Sequence, residues 1–132
     1  MDINEIKVKK IFTFFAPLRL QDFPKVMCCL EHPNLLSLLE VIKENNTLYL
    51  VSECLDLSLH GFIKEKQKSG GIAEIVIKNI LFQLLSGLAF LHENRFVHRD
   101  VKPENIVLSF DATKLKLIDF GLCQGQYFYR NT

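Results

Sequence analysis

Apolar residues recur along residues 72–92 with the spacing of one face of an α-helix. Positions three and four apart are apolar throughout this segment, which is the stripe of a helix packed against a core. The apolar positions are Ile77, Ile80, Leu81, Leu84, Leu85, Leu88 and Leu91. The pattern therefore predicts a long core helix over 72–92.

Shorter patterns on either side of this helix predict strands. Residues 3–12 alternate between apolar and polar positions, which favours a strand. Residues 35–53 form two apolar runs around the polar stretch KENN, and residues 105–119 form two around DAT. Each of these pairs predicts a hairpin.

Two further segments have a helical pattern. Residues 57–71 predict a short helix that ends at two glycines. Residues 18–30 also favour a helix, with Pro24 either in its first turn or interrupting it. A turn is predicted at the intervening HPN, residues 32–34. This mixture of segregated helices and hairpins predicts an α+β fold.

Composition narrows the class of protein. The chain has 132 residues and a formal net charge of +1, so no nucleic acid or other polyelectrolyte partner is implied. No apolar run approaches about 18 residues, and the first ten residues lack a signal-peptide core, so we expect no membrane span and no secretion. The cysteines are Cys28, Cys29, Cys54 and Cys123. Without CxxC spacing, they are expected to be reduced thiols of an intracellular protein.

A charged octet, HRDVKPEN at residues 98–105, lies between the long helix and the second hairpin. The motif DFG follows that hairpin and brings Asp119 back towards Asp100 and Asn105. Two carboxylates and a carboxamide are hard oxygen ligands suited to Mg²⁺. Lys102 can add a point charge for a phosphate, and phosphoryl transfer needs mainly metal, charge and an oriented hydroxyl.

The octet followed by DFG resembles the catalytic loop and metal-binding motif of eukaryotic protein kinases. The resemblance implies that Asp100 orients the substrate hydroxyl and that Lys102 contacts the γ-phosphate. It also implies that Asn105 and Asp119 hold Mg²⁺, with ATP as the phosphoryl donor. The lysine of the octet favours serine and threonine residues of a protein substrate.

Residues elsewhere extend the resemblance. Ser52, in LYLVSECL, corresponds to the gatekeeper, so the backbones of Glu53 and Leu55 would bind adenine, with Val107 beneath the ring. Lys9 corresponds to the nucleotide-binding strand lysine, with Lys10 as the alternative. Met27, Leu38, His98 and Phe120 correspond to the stacked regulatory spine.

The predicted fold is a partial protein-kinase-like α+β fold. Residues 1–54 correspond to part of the N-terminal lobe, with the third to fifth strands and helix C. Residues 55–132 correspond to part of the C-terminal lobe, with the catalytic loop and DFG. The glycine-rich loop and the A-P-E segment are absent, and Phe23 stands where a helix C glutamate is expected, with Asp22 adjacent.

The resemblance leaves the subfamily and the function class open. The nearest pattern is that of the cell-division-control kinase of replication initiation, which acts with a regulatory subunit. Cyclin-dependent kinases and other serine/threonine kinases are the alternatives. These imply a role in the cell cycle or DNA replication and a nuclear or cytoplasmic location, the nucleus being favoured. The competing class is a truncated or pseudo-kinase that acts as a non-catalytic binding module.

Overall fold

The structure is a computed structural model that describes residues 10–15, 30–44 and 47–125. Within these residues the chain forms two compact units. The first contains the described residues up to Glu31 together with Leu36–Cys54, and the second contains His32–Leu35 and the described residues from Leu55 onward. Their assignment to two kinase lobes stays a prediction.

The first unit contains a three-stranded antiparallel sheet. Its strands are β1 (Lys10–Phe15), β2 (Leu38–Glu44) and β3 (Thr47–Ser52), in the order β1-β3-β2. β2 and β3 form the hairpin predicted around KENN, and Val51 and Ser52 are buried. Of the predicted strand over 3–12, only residues 10–12 are described, and they lie in β1. The helix predicted over 18–30 lies largely outside the described residues.

The second unit combines two helices with short strands. In chain order, its elements are β4 (Leu57–Ser58), α1 (Leu59–Lys68), α2 (Glu74–Glu93), β5 (Phe96–Val97), a 3₁₀ turn at Pro103–Asn105, β6 (Ile106–Leu108), β7 (Leu115–Leu117), a second 3₁₀ turn at Phe120–Leu122 and β8 (Gln124–Gly125). The strands β4, β6 and β7 form one sheet, and β5 pairs with β8. The predicted hairpin around DAT is confirmed as β6 and β7.

Helix α1 lies within the segment 57–71 that the sequence predicts, and its caps explain both of its ends. The hydroxyl of Ser58 accepts a hydrogen bond from the Gly61 amide at 3.1 Å and caps the first turn. Gly70 and Gly71 follow the helix with φ of 96° and 101°, a left-handed conformation that favours glycine. The helix therefore starts two residues later than the predicted segment, because Leu57 and Ser58 pair with β6 instead.

Helix α2 is the long helix that the apolar periodicity predicts, but it is not a core helix along its whole stripe. Ile80 and Leu91 are buried, whereas Ile77, Leu81 and Leu85 are exposed within the described structure. Within the described structure, neighbouring elements cover only one side of this helix and leave the rest of its stripe exposed.

Helix α2 also bears on the expectation that the chain has no membrane span. Among the described residues, it is the one helix with the length and composition of a membrane span, with a mean hydropathy of 1.6 and 17% of that stretch buried. Polar residues such as Lys78 and Gln83 interrupt its apolar positions, and the expectation of no membrane span stays a prediction. The finding is weak evidence for a membrane, because helices from the cores of soluble proteins have the same composition.

The turn at residues 32–34 joins α2 to the β6–β7 hairpin. The Leu35 amide donates to the His32 carbonyl at 3.0 Å, which confirms the predicted turn. The buried Asn34 side chain donates to Gln83 of α2 at 3.0 Å and to the Leu115 carbonyl at 3.1 Å. Because these bonds reach both elements, they hold together α2 and the β6–β7 hairpin, which precede and follow the charged octet in the chain.

Candidate active site

The charged octet connects β5 to β6, and hydrogen bonds within the octet fix its conformation. The buried Asn105 closes it, since its Nδ2 donates to the Asp100 carbonyl at 2.9 Å and to Asp100 Oδ2 at 2.8 Å. The Asn105 amide also donates to the Lys102 carbonyl at 2.9 Å, within the 3₁₀ turn that Pro103 begins. Arg99 has a φ of 66°, which turns the chain sharply before Asp100.

Lys102 Nζ lies 2.8 Å from Asp100 Oδ2, in an ion pair whose side chains are 47% and 25% exposed. The hydrogen bond from Lys102 is the main cause that lowers the pKa of Asp100 below its ordinary value, and the Asn105 bond acts in the same direction. The same contact raises the pKa of Lys102. Asp100 is therefore held as a carboxylate beside a fixed positive charge.

The β6–β7 hairpin brings Asp119 to the same end of the unit. The Ile118 amide donates to the Asn105 carbonyl at 2.9 Å, so Asp119 comes one residue after the cross-strand neighbour of Asn105. Asp119 has a left-handed backbone, with φ of 63° and ψ of 73°, and its Oδ1 accepts from the Gly121 amide at 3.2 Å. The sequence-based expectation that Asp119 returns towards Asn105 agrees with this geometry.

His98 makes hydrogen bonds to the segment that carries Asp100 and to the segment that carries Asp119. Its Nε2 lies 2.9 Å from the Ile118 carbonyl, and its Nδ1 lies 3.3 Å from the Asp100 amide. A carbonyl only accepts and an amide N–H only donates, so the ring is neutral with its proton on Nε2. The ring also packs edge-to-face on Phe120, with ring centroids 5.3 Å apart.

Burial sets the protonation of His98. Desolvation lowers its pKa and outweighs the opposing effects of the Ile118 carbonyl, Asp119 and Asp100. The charges of Asp119 and Asp100 both raise the pKa of His98, so both carboxylates lie near this ring. His98 therefore positions Asp100 and the chain before Asp119 without carrying charge at neutral pH.

Asn105 and Asp119 fit a magnesium ion by the chemistry of their donor atoms. Both donor bonds of the Asn105 amide use Nδ2, which orients its side-chain oxygen away from Asp100. That oxygen and the Asp119 carboxylate are hard ligands, and Mg²⁺ in phosphoryl-transfer sites takes one or two protein carboxylates together with phosphates and water. The described residues contain no group of three or more His, Cys, Asp or Glu side chains able to hold a metal, so this pair relies on such further ligands.

The predicted nucleotide-binding residues lie on separate elements. Val107 is half-buried in β6, opposite Lys116 of β7. Ser52 is buried at the end of β3, and its hydroxyl donates to the Glu53 carbonyl at 3.1 Å. Glu53 belongs to the first unit and accepts from the Ser37 amide at 3.0 Å, whereas Leu55 begins the second unit.

Some of the other residues predicted to bind nucleotide or to form the spine lie outside the described residues. Lys9, Asp22, Phe23 and Met27 fall outside the described ranges, so their roles stay predictions. Lys10, the alternative strand lysine, begins β1 and pairs in register with Ser52 of β3. The predicted spine contact between His98 and Phe120 is present, and Leu38 lies in β2 of the other unit.

Sequence reasoning missed a polar cluster at the opposite end of the β6–β7 hairpin. Asp111 Oδ1 accepts from the Ser109 hydroxyl at 2.6 Å, from the Thr113 hydroxyl at 2.8 Å and from the Thr113 amide at 3.1 Å. The pattern Ser-Phe-Asp-Ala-Thr contains these residues at alternate positions, a signal typical of turns built by side chains.

Comparison with known proteins places this arrangement in one family. Residues 19–127 match the family model of the protein kinase domain. A probable serine/threonine-protein kinase of Dictyostelium discoideum is 44% identical over 100 residues, which cover 76% of this chain and 19% of that protein. The serine/threonine-protein kinase ICK of Rattus norvegicus is 44% identical over 95 residues, covering 72% of this chain and 15% of that protein.

A third relative is named a cyclin-dependent kinase. Cyclin-dependent kinase F-4 of Oryza sativa subsp. japonica is 36% identical over 116 residues, covering 88% of this chain and 24% of that protein. The aligned region thus spans about a quarter or less of the length of each of these relatives.

Proposed function

This chain belongs to the protein kinase family, and we propose that it carries the phosphoryl-transfer site of a serine/threonine protein kinase. The family generally uses ATP and Mg²⁺. The observation that carries the proposal is the closed network of Asp100, Lys102 and Asn105 beside Asp119, on one end of a rigid hairpin. Similarity to named serine/threonine kinases supports the same substrate class.

Asp100 orients the hydroxyl of the protein substrate. Lys102 and Asn105 both bond to Oδ2, whereas Oδ1 takes neither bond and is directed to the other side of the carboxylate. Because the pKa of Asp100 is lowered, this oxygen accepts a hydrogen bond from a serine or threonine hydroxyl at any physiological pH. A positioned acceptor of this kind aligns the hydroxyl and takes its proton as transfer proceeds.

Lys102 places a positive charge where negative charge gathers during transfer. Its Nζ is held by Asp100 and is still about half exposed, so it can meet an incoming phosphate without first breaking a buried contact. Asn105 and Asp119 would hold Mg²⁺, and bound MgATP supplies the phosphoryl group. The protein's own contribution is positioning and charge, which is the main requirement of this chemistry.

The nucleotide contacts and the biological role are further parts of this proposal. The backbones of Glu53 and Leu55, the side chain of Val107 and the ammonium of Lys9 are the proposed ATP contacts. The resemblance to cell-division-control and cyclin-dependent kinases supports a nuclear role in the cell cycle or DNA replication, with a regulatory subunit as partner. The rice relative named a cyclin-dependent kinase is similar over most of this chain, which supports the broader part of that assignment.

A non-catalytic binding module is the second candidate function. The observation that favours it is the exposed apolar side of α2, where Phe82 is 74% and Leu85 is 62% exposed in the described structure. A surface of this kind is typical of an interaction site. It does not explain why the octet and Asp119 are arranged as a phosphoryl-transfer site.

Nucleotide binding tests the catalytic proposal directly. We expect a fluorescent ATP analogue to bind in a Mg²⁺-dependent manner, and Asp119→Ala to abolish that dependence because a metal ligand is lost. Glu93→Ala, which removes an exposed carboxylate at the C-terminal end of α2, is the matched control and should bind as the wild type does. Equal affinity with and without Mg²⁺ in all three proteins would refute the metal site and leave the binding-module alternative.

A further inference from the structure

Helix α2 has two apolar faces. The buried residues Ile80, Gly87 and Leu91 lie on its inner face, and the helix packs against β5 and β7. On the outer side of its N-terminal half, large apolar side chains are exposed within the described structure. They are Ile75 (72% exposed), Ile77 (43%), Leu81 (50%), Phe82 (74%) and Leu85 (62%). We call this set the outer face, and contiguous apolar surface of this kind is typical of an interaction site.

The area of the outer face matches what a dimer interface needs. A fully exposed large apolar side chain has about 200 Å² of surface, so the exposed fractions of the outer face leave roughly 600 Å² uncovered on each chain. A standard interface covers about 800 Å² on each partner, and homodimer interfaces are about 65% apolar, so about 500 Å² of that area is apolar. One second copy of the chain is therefore enough to cover the outer face.

The outer face matches a reversed copy of itself. Its residues lie symmetrically about position 80, since Ile75 and Leu85 are each five residues away and Lys78 and Phe82 are each two residues away. In an antiparallel pair of α2 helices centred there, Ile75 meets Leu85 of the second copy, and Leu81 meets its own counterpart. Lys78 meets Phe82 of the second copy, and an ammonium over an aromatic ring is attracted to it.

Charge favours a second copy in this orientation. Glu74 Oε1 and Lys78 Nζ lie 2.6 Å apart, so the charges of this half of α2 cancel and two copies meet without net repulsion. A parallel pair would place Lys78 against Lys78, whereas antiparallel helices place opposite ends of their dipoles together. An anionic membrane surface would need lysines that are not already paired, and Lys78 is the one lysine of α2.

We propose that the outer face of α2 is an antiparallel dimer interface between two copies of this chain, with the helices crossing at Leu81. Each copy keeps its octet outside the interface, because Leu85 precedes the end of α2 at Glu93 by eight residues, or about 12 Å of helix, and the octet follows. The proposal does not depend on catalysis. It names the partner for the exposed side of α2 on which the binding-module alternative is based.

Sedimentation equilibrium of the full chain over a range of concentrations tests the dimer. We expect a closed monomer–dimer equilibrium, because one second copy covers the outer face. Leu81→Glu places two like charges at the crossing and should weaken association by at least about tenfold. Leu39→Glu, at a leucine of β2 that is 57% exposed, is the matched control and should associate as the wild type does. A chain that stays monomeric, that assembles without limit, or that dimerises equally well with Leu81→Glu would overturn the proposal.

Mixtures of complementary charge variants test the face and its orientation. An equimolar mixture of Leu81→Glu and Leu81→Lys should form a heterodimer, because opposite charges then meet at the crossing, and an unfolded variant would not be rescued in this way. Ile75→Glu mixed with Leu85→Lys should also form a heterodimer, since these positions meet only in an antiparallel pair and are about 15 Å apart along one helix. No association in the first mixture would overturn the interface, and none in the second would overturn its antiparallel orientation.

The catalytic proposal can fail without affecting this test. Association is measured without nucleotide, and Asp100→Asn should dimerise as the wild type does because the octet lies outside the interface. Loss of the dimer in Asp100→Asn would mean that the octet takes part in association, and it would contradict the interface on α2. A dimer that shows no phosphoryl transfer would refute the kinase proposal alone.

Discussion

His98 Nδ1 accepts a hydrogen bond from the backbone amide of Asp100 at 3.3 Å. The opposite nitrogen of the same ring donates to the Ile118 carbonyl at 2.9 Å. One neutral side chain therefore connects the segment that carries Asp100 to the segment that carries Asp119. Protonation of Nδ1 would remove the first of these bonds, so the geometry of the site depends on an uncharged His98.

The stability of the protein should therefore fall as the pH drops through the titration range of this histidine. Burial lowers the folded pKa of His98 below its ordinary 6.5, so the unfolded chain binds a proton first. The stabilisation is fully present above about pH 6.5 and is lost as the pH falls towards the folded pKa. Urea unfolding at pH 7.5 and 5.5 should show this decrease.

His98→Gln is the matched variant for that measurement. Glutamine can donate to the Ile118 carbonyl but does not titrate, so the variant should lose part of the pH dependence. A remainder is expected from His32, whose pKa is also lowered, first by burial and then by Lys116. An unchanged pH dependence in His98→Gln would contradict the role given to this residue.

The ion pair at the octet predicts a second shift in protonation. Replacing Lys102 by methionine should raise the pKa of Asp100 towards its ordinary 3.8, because the largest cause of its lowering is removed. In the wild type, the contribution of this carboxylate to stability is present above about pH 3.8 and is lost as the pH falls through the folded pKa. Carbon-detected NMR titration of the carboxyl group measures both values, and identical pKa values in the two proteins would contradict the contact.

Gly87 allows α2 to approach the turn at residues 32–34. A Cβ at this position would lie 3.2 Å from the Asn34 carbonyl oxygen and 3.3 Å from Leu35 Cδ2. Gly87→Val should therefore lower the free energy of unfolding by about 1–3 kcal/mol through overpacking. Ala89→Val, at an exposed position of the same helix, is the control for the helix preference of valine. Urea unfolding that shows equal effects of the two substitutions would mean that the contact with the turn is not tight.

Periodicity and motif spacing predicted much of this structure. The 3.6-residue stripe predicted α2, and the apolar runs on either side of KENN and DAT predicted the two hairpins. The identities of Asp100, Lys102, Asn105 and Asp119 followed from the two motifs and their order along the chain. These features are local, and local sequence determines them.

The remaining features depend on contacts between distant segments. The tautomer of His98 is set by a carbonyl twenty residues later in the chain, which no local pattern reveals. The exposure of Leu81 and Leu85 depends on which elements cover α2, whereas a helix with apolar residues on several sides has the same pattern whether or not it is covered. The position of the Asp111 turn against α2 similarly depends on the hydrogen bonds that Gln83 makes with Thr113 and Leu115.

Phosphoryl transfer from radiolabelled ATP to a serine-containing protein, compared between the wild type and Asp100→Asn, tests the central claim most directly. The assay uses the smallest active protein that contains this chain, with Glu93→Gln as the control and binding of a fluorescent ATP analogue measured in parallel. We expect Asp100→Asn to keep nucleotide binding and to lose about 10²–10⁴-fold in rate, the usual contribution of a positioned general base. Transfer by Asp100→Asn at the wild-type rate would contradict the assignment of residues 98–105 as the catalytic loop.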